Sequence, residues 1–146
     1  MSCSNDNTLS VKMHTVDDKA KFIAVARENP IVTVDYFPPV GTGEGYTSLE
    51  LLLMSFGSCV STTLMTLLRF KMKKAVSGIT AYVDGTVREE HPKSLSYILL
   101  RLKINAEDLT EAEAREALKV AENGVCPVWA MVKGNVTVDV EVEIGD

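Results

Sequence analysis

Apolar positions run almost without a break from Thr47 to Met72, TSLELLLMSFGSCVSTTLMTLLRFKM, and they predict a long buried helix with Cys59 near its middle. Thr47 and Glu50 have the spacing of a capping box, in which each side chain satisfies an orphan N–H of the first turn, so the helix is expected to start near Thr47. At about 1.5 Å per residue the stretch would span roughly 39 Å. Apolar residues fall on nearly every side of it, so most of its surface needs a cover. A bilayer could supply that cover, since about 20 apolar residues suffice to cross one. Glu50 and the hydroxyl residues Ser55, Ser58, Ser61, Thr62, Thr63 and Thr66 interrupt the run and argue for a protein core instead. Ser55, Cys59, Thr62 and Thr66 follow helical spacing and form a polar stripe that carries the thiol. Gly57 leaves room for another element to approach.

Before the helix, LSVKMHTV, AKFIAVAR and PIVTVDYF read as three short strands. Asp17-Asp18 and Asn29-Pro30 separate them as turns. The simplest arrangement is an antiparallel meander with one face available for the helix. The loop from Pro38 to Tyr46, PPVGTGEGY, is rich in glycine but lacks the Lys-Ser/Thr pair of a phosphate-binding loop, so nucleotide binding is not expected.

Beyond the helix, Lys71, Lys73 and Lys74 read as a solvated, positively charged helix end. SGITAYVDGTVREE and SLSYILLRLKINA form a predicted hairpin turning at His91-Pro92. His91 is expected to be exposed, and with His14 it has no metal-ligand spacing, so no metal site is expected. Thr110 and Glu113 make a second capping box. It opens an amphipathic helix that turns Ala112, Leu118 and Ala121 inward and ends at Asn123-Gly124. Cys126-Pro127 places Cys126 at the N-cap of a further short helix, PVWAMVK. Backbone N–H groups and the helix dipole there would stabilise a thiolate and lower its pKa; packing of Cys126 beside Trp129 is the plainer alternative. NVTVDVEVEI alternates strictly and closes the chain as a strand.

With 146 residues, the chain is expected to be a single domain, 1-146, able to bury a core. A composition 46% apolar and 24% charged with a net charge of -5 argues against a nucleic-acid surface. The first residues, MSCSNDNTLS, lack a secretory pattern, which predicts a cytoplasmic location and no membrane association. In a reducing compartment the three cysteines are expected to serve chemistry or packing rather than a disulfide framework. Cys3, in a polar tail, has no assigned role.

The glycine-rich loop, the helix opening ELLLMSFGSC, the hairpin after it and the late motif AENGVCPV together resemble the OsmC and organic-hydroperoxide-resistance family, over about Val32 to the C-terminus. The resemblance implies an α+β, OsmC-like fold in which antiparallel sheets wrap long central helices and two subunits intertwine as a homodimer around an interfacial active site. It implies that Cys59 is the peroxidatic nucleophile and Cys126 the resolving thiol, with an organic hydroperoxide as substrate. No cofactor would be bound. An external dithiol reductant, in this family typically a lipoylated protein, would reset the pair. Peroxidatic members also use an arginine on an N-terminal strand and a glutamate ten positions before the cysteine, where this chain has Leu49. The supporting candidates are therefore Arg27, Lys19 and Glu50, each displaced from the family's pattern. The alternative is a non-peroxidatic OsmC-like protein that binds a small apolar or thiol-reactive ligand at the dimer interface.

Overall fold

The computed structural model describes residues 7–145, and Cys3 lies outside them. The chain forms two compact units, one up to Leu51 and one from Leu52 onward.

In the first unit, strands β1 (Lys12–Thr15), β2 (Phe22–Val25) and β3 (Val32–Val34) form the expected antiparallel meander. Each is shorter than its apolar run. The Asp17 carboxylate takes the N–H groups of Lys19 and Lys21, at 2.9 and 3.2 Å, and so ends β1 early. Arg27, at φ 57°, turns the chain after β2.

The glycine-rich loop does hold an anion, and the anion is the protein's own. Asp35 is 2% exposed. Its carboxylate accepts the N–H of Tyr36 at 2.8 Å, the N–H and hydroxyl of Thr42 at 3.2 and 2.7 Å, and the N–H of Glu44 at 3.1 Å. A ladder contact between Val34 and Tyr46 then delivers the chain to Thr47. There the predicted capping box is present: the Thr47 N–H donates to Glu50 Oε1 at 2.9 Å, and the Glu50 N–H donates to Thr47 Oγ1 at 3.2 Å.

Burial alone would raise the pKa of Asp35. The Thr42 hydroxyl and the three N–H groups outweigh it and hold the carboxyl down at about 2. A carboxyl depressed in the folded state stabilises the fold above its unfolded value, and that contribution fades as pH falls through the folded one. We expect the urea midpoint to drop between about pH 4 and pH 2, and Asp35→Asn to flatten that drop. Equal acid sensitivity of the two proteins would contradict it.

Helix α1 (Ser48–Thr66) starts at the end of the first unit and continues into the second. Phe56, Val60, Leu64 and Leu68, four residues apart and all 0% exposed, mark one buried stripe, whereas most other positions of the helix are half-buried or exposed, so it is less covered than its apolar run predicts. Of the predicted polar stripe, Ser55, Thr62 and Thr66 are exposed and Cys59 is half-buried. The α-helix ends earlier than its apolar run. Residues 67–71 widen into a π turn, closed by the Met72 N–H on the Leu67 carbonyl at 3.0 Å. Lys74 is not a solvated helix end. Its ammonium pairs with Glu113 at 2.7 Å and donates to the Asp108 carbonyl at 2.9 Å, which ties this corner to the second helix.

Strands β4 (Val76–Val87) and β5 (Leu95–Ala106) form the predicted hairpin around His91-Pro92. The sheet departs from an all-antiparallel arrangement at its other edge, where β6 (Thr137–Gly145) runs parallel to β5, Tyr97 opposite Thr137 and Ile104 opposite Ile144. A parallel return needs a crossover. Here α2 (Glu111–Val120), a π turn over residues 121–125 and α3 (Pro127–Val132) supply it. The Thr110–Glu113 capping box opens α2 as expected. Asn123-Gly124 do not end the helix, because the winding continues through them as the π turn. Ala114, Ala117, Leu118 and Ala121 face inward, whereas Ala112 is exposed.

Candidate functional site

The site is built where α1 meets the start of α3. Cys59 and Cys126 are both free thiols, and their sulfurs lie 3.2 Å apart, with the Cys126 S–H donating to Cys59. Cys59 is half-buried, while Cys126 is only 2% exposed.

Cys126 is pinned on both sides by its backbone. Its N–H closes the π turn on the Ala121 carbonyl at 2.9 Å, and its own carbonyl accepts the Ala130 N–H at 3.1 Å. Pro127 follows as the first residue of α3, so the N-cap position read from Cys-Pro is correct. The expected lowering of its pKa is not. Burial pushes the Cys126 thiol up, and the N–H groups of Trp129 and Val128 offset this only in part, against the added effect of the neighbouring Cys59. The local helix terminus is overridden by desolvation.

Two residues before Cys59, a Cβ on Gly57 would lie 2.7 Å from Val83 Cγ2, so glycine lets the helix settle closely against β4. Three residues before Cys59, Phe56 meets the ring of Trp129 edge-on, with centroids 5.6 Å apart and planes at 75°. A surface cavity of about 300 Å³ reaches Cys126 and is also lined by Asn123, Val125, Pro127 and Lys133. Lys133 donates across it to Asn123 Oδ1 at 3.0 Å.

Chemically, two thiols at 3.2 Å need to close by only about 1 Å to reach the disulfide length of about 2.05 Å. The arrangement therefore suits a dithiol–disulfide pair.

Residues 41–141 match the family described as OsmC-like protein. The chain belongs to that family. Its fold agrees with solved structures along nearly the whole length. A hypothetical protein from Aquifex aeolicus aligns with a TM-score of 0.81 and 25% identity, covering 96% of this chain and 98% of that one. An OsmC-like protein from Mycoplasma pneumoniae aligns at 0.75 and 19%, covering 96% and 97%. The organic hydroperoxide resistance protein OhrB of Bacillus subtilis aligns at 0.61 and 20%, covering 94% and 98%. No curated protein matches by sequence.

Within this OsmC-like chain one of the supporting candidates, Glu50, has a local task. Glu50 is committed to the Thr47 cap, which also lowers its pKa through the Thr47 N–H. Lys19 sits in the exposed turn after β1, and Arg27 in the exposed turn after β2. Sequence reasoning did not single out Phe56. Its signal was available as helical spacing: Phe56 lies three residues before Cys59, and Trp129 three after Cys126.

Proposed function

We propose that this OsmC-like protein is a thiol-dependent peroxide reductase acting on organic hydroperoxides, with Cys59 as nucleophile and Cys126 as resolving thiol. The observation that carries the reading is the 3.2 Å separation of the two free sulfurs. The Cys59 thiolate attacks the terminal peroxide oxygen; the O–O bond breaks, the alcohol leaves with a proton, and Cys59 becomes a sulfenic acid. Cys126 then attacks the Cys59 sulfur, the S–S bond forms and water departs. An external dithiol, as in the family a lipoylated protein, returns both cysteines to thiols and leaves as its own disulfide. No bound cofactor or metal takes part.

The half-buried position of Cys59 and the burial of Cys126 support this division of roles: the first is reachable by substrate, and burial favours the neutral thiol at the second. The family membership and the shared fold of proteins named for organic hydroperoxide resistance support the same reading. The working form is a cytoplasmic homodimer without nucleic-acid or membrane partners. Exposed apolar side chains support dimerisation: Met54 on α1, Phe70 at 71% and Met131 at 80% exposure in the second unit, and Ile31 and Phe37 in the first.

The test is to mix reduced protein with cumene hydroperoxide or hydrogen peroxide, follow peroxide loss and map disulfides by mass spectrometry, with Cys59→Ser as control. The expected result is loss of the organic peroxide at least 100-fold faster than with the control, ending in a Cys59–Cys126 disulfide. Loss no faster than with Cys59→Ser would sink the reading and leave the site as a binding pocket for a small apolar or thiol-reactive ligand.

A further inference from the structure

Beyond the two thiols, we infer that the Phe56–Trp129 ring pair is a positioning element that sets the distance between Cys59 and Cys126. Helix α3 has six residues, too few to hold itself in place in water, so its location is fixed by what it packs against. Its buried side chains are Trp129, 4% exposed, and Val132, 7% exposed. Trp129 meets Phe56, which is 0% exposed, in the edge-to-face geometry favoured by aromatic quadrupoles. Phe56 is about one turn before Cys59 on α1, and Trp129 about one turn after Cys126 on α3.

The ring contact and the sulfur contact therefore join the same two helices at two points. The ring contact does not depend on the sulfurs, and it holds the two helices at the spacing at which the sulfurs lie 3.2 Å apart. The pair raises the effective concentration of one thiol at the other, the entropic advantage of a held geometry. On the peroxidase reading, on which this consequence rests, the same closeness sends the Cys59 sulfenic acid to a disulfide before a second peroxide takes it to the irreversible sulfinic acid.

The experiment equilibrates full-length wild type, Trp129→Ala, Trp129→Phe and Phe56→Leu with oxidised and reduced glutathione, and measures the fraction of Cys59–Cys126 disulfide. No peroxide is involved, so the geometry is read even if peroxide proves not to be a substrate; that separate failure would show in the wild-type peroxide assay. Trp129→Ala is expected to lower the effective thiol concentration roughly tenfold and Phe56→Leu more than threefold, while Trp129→Phe, which keeps an aromatic edge, stays within threefold of wild type. If Trp129→Ala does not fold, Phe56→Leu alone decides. A folded Trp129→Ala or a Phe56→Leu within threefold of wild type overturns the inference. So does a Trp129→Phe as low as Trp129→Ala, because a ring of either size should hold the helices.

Discussion

Cys126→Ser is expected to consume about one equivalent of organic hydroperoxide per chain at a rate within about threefold of wild type, and then to stop. On the proposed cycle the first step needs only Cys59, which is the more accessible sulfur. The second needs a thiol at 3.2 Å, and serine offers a hydroxyl of similar shape that cannot attack a sulfenic acid to form a disulfide. Turnover with an added dithiol should fall about 100-fold or more, and mass spectrometry should find Cys59 as sulfinic acid after excess peroxide. Serine also replaces a buried, weakly polar thiol without opening a cavity, so stability should change by only about 1 kcal/mol. Undiminished turnover in Cys126→Ser would assign the resolving step to some other thiol and remove Cys126 from the cycle.

Gly41→Ala is expected to be the most damaging conservative change in the first unit. A Cβ at this position would collide with the Asp35 carboxylate and with the Tyr36 carbonyl, and would lie 2.8 Å from the Tyr36 nitrogen. Two of those three atoms are backbone and cannot rotate away. Relief requires opening the loop, which strips the buried Asp35 of the Thr42 and Glu44 N–H groups. A cost of about 3 kcal/mol is the upper end of ordinary overpacking, which for a domain of this size corresponds to a melting temperature roughly 6–12 °C lower. Gly124→Ala, where no atom lies within 4 Å of the added carbon, provides the contrast and should stay within about 0.5 kcal/mol of wild type. Equal melting temperatures for the two variants would show that the loop yields more easily than its contacts imply.

These two sites differ in how far the sequence announced them. Where the determinant is local, the reading holds. Both capping boxes, Thr47 with Glu50 and Thr110 with Glu113, form the predicted reciprocal bonds. Strict alternation from Val136 to Ile144 marks β6, and Cys126-Pro127 marks the start of α3. Where the determinant is tertiary, it fails or stays silent. Nothing in the alternation of β6 says that its neighbour is β5 and that the two run parallel, since the pattern fixes a face and not a direction. The two π turns have no periodic signature, because each is a single widened ring inside a helical run. The Cys126 pKa departs from its expected direction for a related reason: the helix terminus is visible in the sequence, and the burial that outweighs it is not. The glycine-rich loop was understood only by what it lacks. Its nearby carboxylate, Asp35, sits upstream in what reads as a strand, so the ligand of the loop was hidden in plain view.

The parallel closure of β6 on β5 bears on how the chain reaches its working state. Tyr97 finds Thr137 and Asn105 finds Gly145 only after some forty intervening residues have been gathered in. Pairings of such high sequence separation incur loop-closure entropy before they return any stability, and they form slowly. Cys126 lies in the segment between these two strands, so the closure of β6 on β5 also gathers in the residue that meets Cys59. A newly made chain has both cysteines long before it has them adjacent. In that interval Cys59 stands without the sulfur that the folded chain places 3.2 Å from it.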